Sequence, residues 1–115
     1  MWFNPKLFQV FCPALEYNVI LFKQTWEEHV LPTHPDMKNK LDVVKKAIEN
    51  CKSQEDIFRK IRNPDQVSIH YQCSDFLPMN RYLRIAMFLK KKNGYAIVTS
   101  AYPVDNFPMK GSERL

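Results

Sequence analysis

From residue 67 onward the hydrophobic positions fall on a period of two. Val67, Ile69, Tyr71 and Cys73 alternate with Ser68, His70 and Gln72, as in a β-strand with one face on a core and the other polar. Residues 82–89 (YLRIAMFL) and 95–102 (YAIVTSAY) read as two more strands, and Asn93-Gly94 between them is the strongest hairpin signal in the chain. A three-stranded meander is therefore predicted for the C-terminal third. Short aromatic and β-branched runs at 8–12 and 17–22, separated by Pro13 to Glu16, predict an N-terminal strand or hairpin.

Between these regions the period lengthens. Thr25 can cap a short helix through Trp26, Glu27, Glu28, His29 and Val30, with its acidic residues where the helix dipole favours them and Pro32 to end it. Thr33 offers a second cap, with Pro35 and Asp36 in the first turn and Met37, Leu41, Val44 and Ile48 at helical spacing. Ser53 and Asp56 are spaced like a capping box, and Ile57, Phe58 and Ile61 supply the apolar side of a third helix that Asn63-Pro64-Asp65 breaks. Strands that follow helices without βαβ alternation indicate an α+β fold, with an N-terminal strand or hairpin and two to three helices packed on a C-terminal antiparallel sheet. Trp26, Met37, Leu41, Val44, Ile48, Val67, Ile69 and Leu83 form the predicted core.

Composition narrows the function classes. The chain has 115 residues, 45% of them hydrophobic, which suits one domain spanning 1–115. Only two glycines, Gly94 and Gly111, are present, so neither a dinucleotide-binding fingerprint nor a Walker phosphate loop can be written. Cys12, Cys51 and Cys73 are odd in number and lack CxxC spacing, which argues against a disulfide framework or zinc ribbon and for a reducing compartment. They occupy apolar periodic positions or a helix end and read as small buried hydrophobes. No run approaches membrane-spanning length, and MWFNPKLFQVFCP is interrupted by Asn4, Pro5 and Lys6, unlike a signal segment; a cytoplasmic protein with no membrane partner is expected. The balance of 17 Lys and Arg against 12 Asp and Glu gives a net charge of +5, which favours a polyanionic partner.

Acid and base chemistry without a cofactor falls first to the three histidines, His29, His34 and His70. His29 and His34 flank Leu31-Pro32-Thr33, so a helix end and a reversal could bring both rings to one cleft. As metal ligands with Asp36 their spacing matches no established zinc pattern, and no metal is expected. The strand ending Thr99-Ser100-Ala101-Tyr102 places Ser100 and Tyr102 on one face, suited to phosphate oxygens. Register decides which cation joins them. An odd hairpin loop around Asn93-Gly94 puts Arg84 with Ser100 and Tyr102, whereas a two-residue loop puts it with Thr99.

The segments W26EEHVLPTHPDM37, Asn63-Pro64-Asp65, R81YLRIAMF88 and V98TSAYP103, taken in order, resemble the barnase, EndoU, colicin and RelE-like (BECR-fold) nucleases of phage and prokaryotic genomes. The likeness covers roughly residues 18–111. The family pattern implies a Trp-x-x-His segment (Trp26, His29), a His-Pro helix start (His34, Pro35), an Asn-Pro-Asp turn, a final strand closing on Ser100 to Tyr102, and a Lys110-Gly111 pair. Asp36 stands where the family has Glu, Ser100 where it has Thr, and residues 51–60 look like an added turn of helix. The resemblance implies helices followed by a four-stranded antiparallel sheet.

With this resemblance, the expected function is a metal-independent endoribonuclease, a toxin or phage-derived effector acting on RNA, with a cognate antitoxin as possible protein partner. His29 and His34 supply acid and base, Ser100 and Tyr102 orient the phosphate, Arg84, Arg81 and Thr99 bind substrate, and His70 also binds or serves as the reserve acid or base. The alternatives are a catalytically silent RNA- or protein-binding module of the same fold and an interaction protein whose sheet edge pairs with a partner strand.

Overall fold

The computed structural model describes residues 5–53, 57–72, 82–104 and 112–114. Arg81, Cys73, Asp56 and the Lys110-Gly111 pair lie outside the described residues. The architecture is α+β. Its strands are β1 (Lys6–Cys12), β2 (Tyr17–Phe22), β3 (Ile57–Lys60), β4 (Asn63–Gln72), β5 (Tyr82–Lys90), β6 (Tyr95–Val104) and β7 (Ser112–Arg114), joined in one sheet of order β1-β2-β6-β5-β4-β3-β7. The predicted meander is present as antiparallel β4, β5 and β6, and the N-terminal hairpin as β1 and β2. The hairpin attaches by a parallel pairing of Asn18–Ile20 with Tyr95–Ile97, so the sheet is mixed and wider than the four antiparallel strands that the family resemblance implies. No helix among the described residues is long and apolar enough to cross a membrane.

The first helical segment runs α1 (Lys23–Thr25), a π turn (Trp26–Val30) and α2 (Leu31–Thr33). It starts earlier than expected, and Thr25 lies inside it in the right-handed helical region without a capping side-chain bond. The Leu31 N–H donates to the carbonyl of Trp26, five residues back. This widening coincides with Pro32, whose ring would crowd the Glu28 carbonyl in a regular turn. Pro32 does not end the helix, which runs on to Thr33.

The expected single helix from Thr33 is split. Pro35–Met37 form a 3-10 turn, Asn39 reverses the chain at a φ of 68°, and α3 (Leu41–Glu49) begins only afterwards. Asn tolerates this left-handed conformation better than most residues. Met37 keeps its core place all the same.

Within the predicted third helix, Ile57–Lys60 form a strand. Ile57 and Phe58 of β3 are both buried, yet adjacent strand residues point to opposite faces, so each enters a different packed layer. Ile61 lies in the β3–β4 turn and is 59% exposed. Asn63-Pro64-Asp65 opens β4: Lys60 pairs with Asn63 and Arg59 with Val67, which leaves Pro64 to Gln66 looped out of the ladder. There the missing N–H of Pro64 breaks no pairing.

One sheet face carries Ile57, Ile69, Leu83, Ile85, Met87, Val98 and Ala101 into the core with Trp26, Val30, Met37, Val44 and Ile48. Seven of the eight predicted core residues are buried, and Leu41 packs against them partly exposed. Within β6, Val98 and Ala101 are both fully buried although they stand an odd number of positions apart. A bulge permits it: Met87 pairs with Val98 but Ala86 with Ser100, leaving Thr99 as the extra residue.

Deleting Thr99 should therefore turn either Ala96 and Val98 or Ala101 out of the core and destabilise the protein by more than about 3 kcal/mol. Thr99→Ala, which keeps the bulge, should change stability by no more than about 0.5 kcal/mol. Urea unfolding of both variants distinguishes the two.

Candidate functional site

The bulge also settles which cation meets the terminal hydroxyls. The β5–β6 turn has four residues, Lys91 to Gly94, with Lys90 paired to Tyr95 and Gly94 at a φ of +76°. An even loop would place Arg84 on the side of Thr99. The extra residue at Thr99 shifts the parity, so Arg84 pairs directly with Tyr102 and shares its face with Ser100. The signal was in the sequence: the apolar positions Ala96 and Val98 pass to Ala101 with a change of parity that an unbroken strand cannot bury.

Across the sheet this gives a row of His70, Arg84 and Tyr102, each paired to the next. An Arg84 terminal N–H donates to the Tyr102 hydroxyl, and the guanidinium carbon lies 5.4 Å from the centre of the Tyr102 ring. His34 arrives from the bend between α2 and the 3-10 turn and stacks on Tyr102, with ring centres 4.6 Å apart and planes 14° from parallel. The sheet and the helical bend therefore meet on one tyrosine. His29, by contrast, is exposed on the π turn and joins none of these contacts among the described residues. Of the two imidazoles expected in the site, only His34 reaches it.

Beside this row lies a cleft of about 230 Å³. Arg84, Thr99, Ser100 and Tyr102 line it, as do Phe58, Lys60, Gln66, Ser68 and Phe88, which sequence reasoning did not single out. Lys60 and Phe58 were hidden by the helical reading of residues 53–61; the alternation of β4 could have exposed Gln66 and Ser68. Neither His29 nor His34 lines the cleft itself. A second cavity of about 240 Å³, between the end of α3 and β4, has Asn50, Cys51, Tyr71 and Gln72 in its wall and, among the described residues, no Lys or Arg.

The electrostatics of the cleft are one-sided. Arg84 is only 8% exposed, its Nε has no hydrogen-bond partner among the described residues, and no carboxylate there pairs with it. Burial pushes its guanidinium down from the ordinary value, yet a guanidinium keeps its charge in proteins. Asp65, next to the lining residue Gln66, is tied to Lys91 at 3.2 Å. A buried cation without a counter-charge is costly, and an anion entering the cleft offsets that cost.

His70 is 3% exposed, with Nε2 3.2 Å from the Ser68 hydroxyl and its ring edge-on to Phe58 at 4.8 Å. Burial, and then the charge of Arg84, lower its pKa to about 4. It is neutral at neutral pH and poorly suited to donate a proton there. Cys12 and Cys51 are both buried, as the sequence suggests. The side-chain hydrogen bond with Cys51 outweighs burial and holds the Cys12 thiol at about 7, but Cys12 has no exposed surface for nucleophilic work. No cluster of three or more His, Cys, Asp or Glu side chains that could hold a metal occurs among the described residues.

His70 makes stability depend on pH. The unfolded ring takes up a proton near its ordinary pKa of 6.5, while the folded ring resists until about 4. Stability should fall as pH drops through that window, by about 3 kcal/mol in all, and stay lost below it. Urea midpoints between pH 7 and 4 should show this slope in the wild type and a shallower one in His70→Gln.

Compared with protein-family models, curated proteins and solved structures, the chain matches none.

Proposed function

We propose that the cleft beside Tyr102 binds RNA and cleaves its phosphodiester backbone by attack of the ribose 2′-hydroxyl. The observation that carries this reading is Arg84, a guanidinium more than nine-tenths buried, without a carboxylate partner among the described residues, lining a cleft beside the hydroxyls of Ser100 and Tyr102. That arrangement suits a phosphate, whose oxygens take the guanidinium and hydroxyl donors together. The net charge of +5 and Lys60 at the cleft draw a polyanion toward it.

In the cleavage step a base removes the 2′-hydroxyl proton, the 2′-oxygen bonds to phosphorus, and the bond from phosphorus to the 5′-oxygen breaks as an acid protonates that leaving oxygen. The products are a 2′,3′-cyclic phosphate and a 5′-hydroxyl. His34 is the imidazole at hand for one proton transfer, Tyr102 orients the phosphate beside it, and Arg84 stabilises the charge gathered on the phosphoryl oxygens. No metal is called for by these groups. On this reading the protein works in the cytoplasm as a toxin or phage-derived effector of the barnase, EndoU, colicin and RelE-like kind, held in check by a cognate antitoxin.

A second reading has an observation of its own. Among the described residues His29 makes no contact with the row and the His34 ring is engaged with Tyr102, outside the cleft wall, which favours a module that binds RNA without cutting it.

Single-stranded and structured RNA incubated with the purified protein in excess chelator should yield fragments ending in 2′,3′-cyclic phosphate. His34→Ala and Tyr102→Phe should lower the rate by about 100-fold or more, whereas His29→Ala should leave it within a few-fold. Loss of cleavage in chelator would transfer the chemistry to a metal. RNA retained in a salt-sensitive manner and never cut would establish the binding module instead.

A further inference from the structure

The cleft does not end at the phosphate position. Arg84 and Phe88 stand on the same face of β5, about 13 Å apart along the strand, and both line the cleft. Between them the floor is made of small side chains, Ala86 paired with Ser68 on one side and Ser100 on the other. The far end is different in kind: Phe88 is paired with Gln66, and Lys60 of β3 stands at the same cleft. We propose that this far end is a nucleobase subsite, in which Phe88 stacks a base and the Gln66 amide reads its edge when the adjoining phosphate sits on Arg84. The inference rests on the RNA reading above and adds to it a residue that selects the base.

The chemistry of the wall favours a base over other ligands. An aromatic face with a neutral amide beside it matches a flat heterocycle that both donates and accepts hydrogen bonds, and a glutamine side chain can make two such bonds to one base edge. Among the described residues no Asp or Glu lines the cleft to repel the flanking phosphates, and Lys60 is placed to receive one of them. The Phe88 ring already attracts a partner: the Lys90 ammonium lies 5.0 Å above it. At an exposed position such a contact contributes about 2- to 5-fold in affinity, whereas a stacked base contributes about 5- to 150-fold. A base therefore displaces the ammonium from the ring, and the lysine stays close enough to meet a phosphate.

The test is equilibrium binding, which needs no turnover. The full chain is titrated by calorimetry with inorganic phosphate, ribose 5-phosphate and the four nucleoside 3′-monophosphates. At least one nucleotide should bind 5- to 150-fold more tightly than ribose 5-phosphate, Phe88→Ala should abolish that advantage, and Gln66→Leu should change the order among the four bases. Phe88→Leu, which keeps apolar bulk, should lose the advantage with its unfolding midpoint held. Equal affinity for ribose 5-phosphate and all four nucleotides overturns the subsite, as does an advantage that survives both Phe88 variants. Base-dependent binding by a protein that never cuts RNA sinks only the cleavage reading. Cleavage of RNA together with base-independent binding sinks only the subsite.

Discussion

The candidate site exists because one extra residue, Thr99, is inserted into β6. Hydrophobic burial demands that Val98 and Ala101 both face the helices, and a regular strand cannot satisfy both. The bulge resolves that conflict and in doing so carries Ser100 and Tyr102 onto the face of Arg84. Side-chain burial on one face of the sheet thus dictates which polar groups meet on the other. The polar row is a by-product of core packing.

What that row gains is a charge held away from water. Arg84 lies between a neutral His70 and the Tyr102 phenol, and its lowered pKa and that of His70 have the same leading cause, burial. Placing a guanidinium in such a position with no carboxylate partner among the described residues lowers stability unless something negative arrives. The cleft beside it, lined among the described residues by hydroxyls, an amide and Lys60 without a carboxylate, is shaped to admit such a group. Destabilisation in the free protein and affinity for an anion are then two aspects of one arrangement.

His34 ties this sheet-borne row to the helical layer. The π turn at Trp26–Val30 and the 3-10 turn at Pro35–Met37 both depart from regular helix at prolines, and between them the chain turns so that an imidazole lies flat on Tyr102. His29 occupies the wide turn itself, exposed, and takes no part in the contacts that His34 makes with Tyr102. A single imidazole beside a buried guanidinium is a thinner catalytic set than a pair, which is why the question of cutting against binding turns on His34.

Read alone, the sequence determined the α+β class, the N-terminal hairpin, the meander and nearly all of the core. Each of these is written in local periodicity or in the identity of turn residues, which act over a few positions. It misled over residues 57–61, where Ile57, Phe58 and Ile61 fit a helical stripe, although Ile57 and Phe58 belong to a strand buried on both faces and Ile61 to an exposed turn; only pairing with β4 distinguishes the two. The parallel joining of β2 to β6 and the absence of His29 from the contacts that His34 makes were likewise decided in three dimensions. Those outcomes depend on which distant segments bury one another, and no local pattern encodes that until the sheet has assembled.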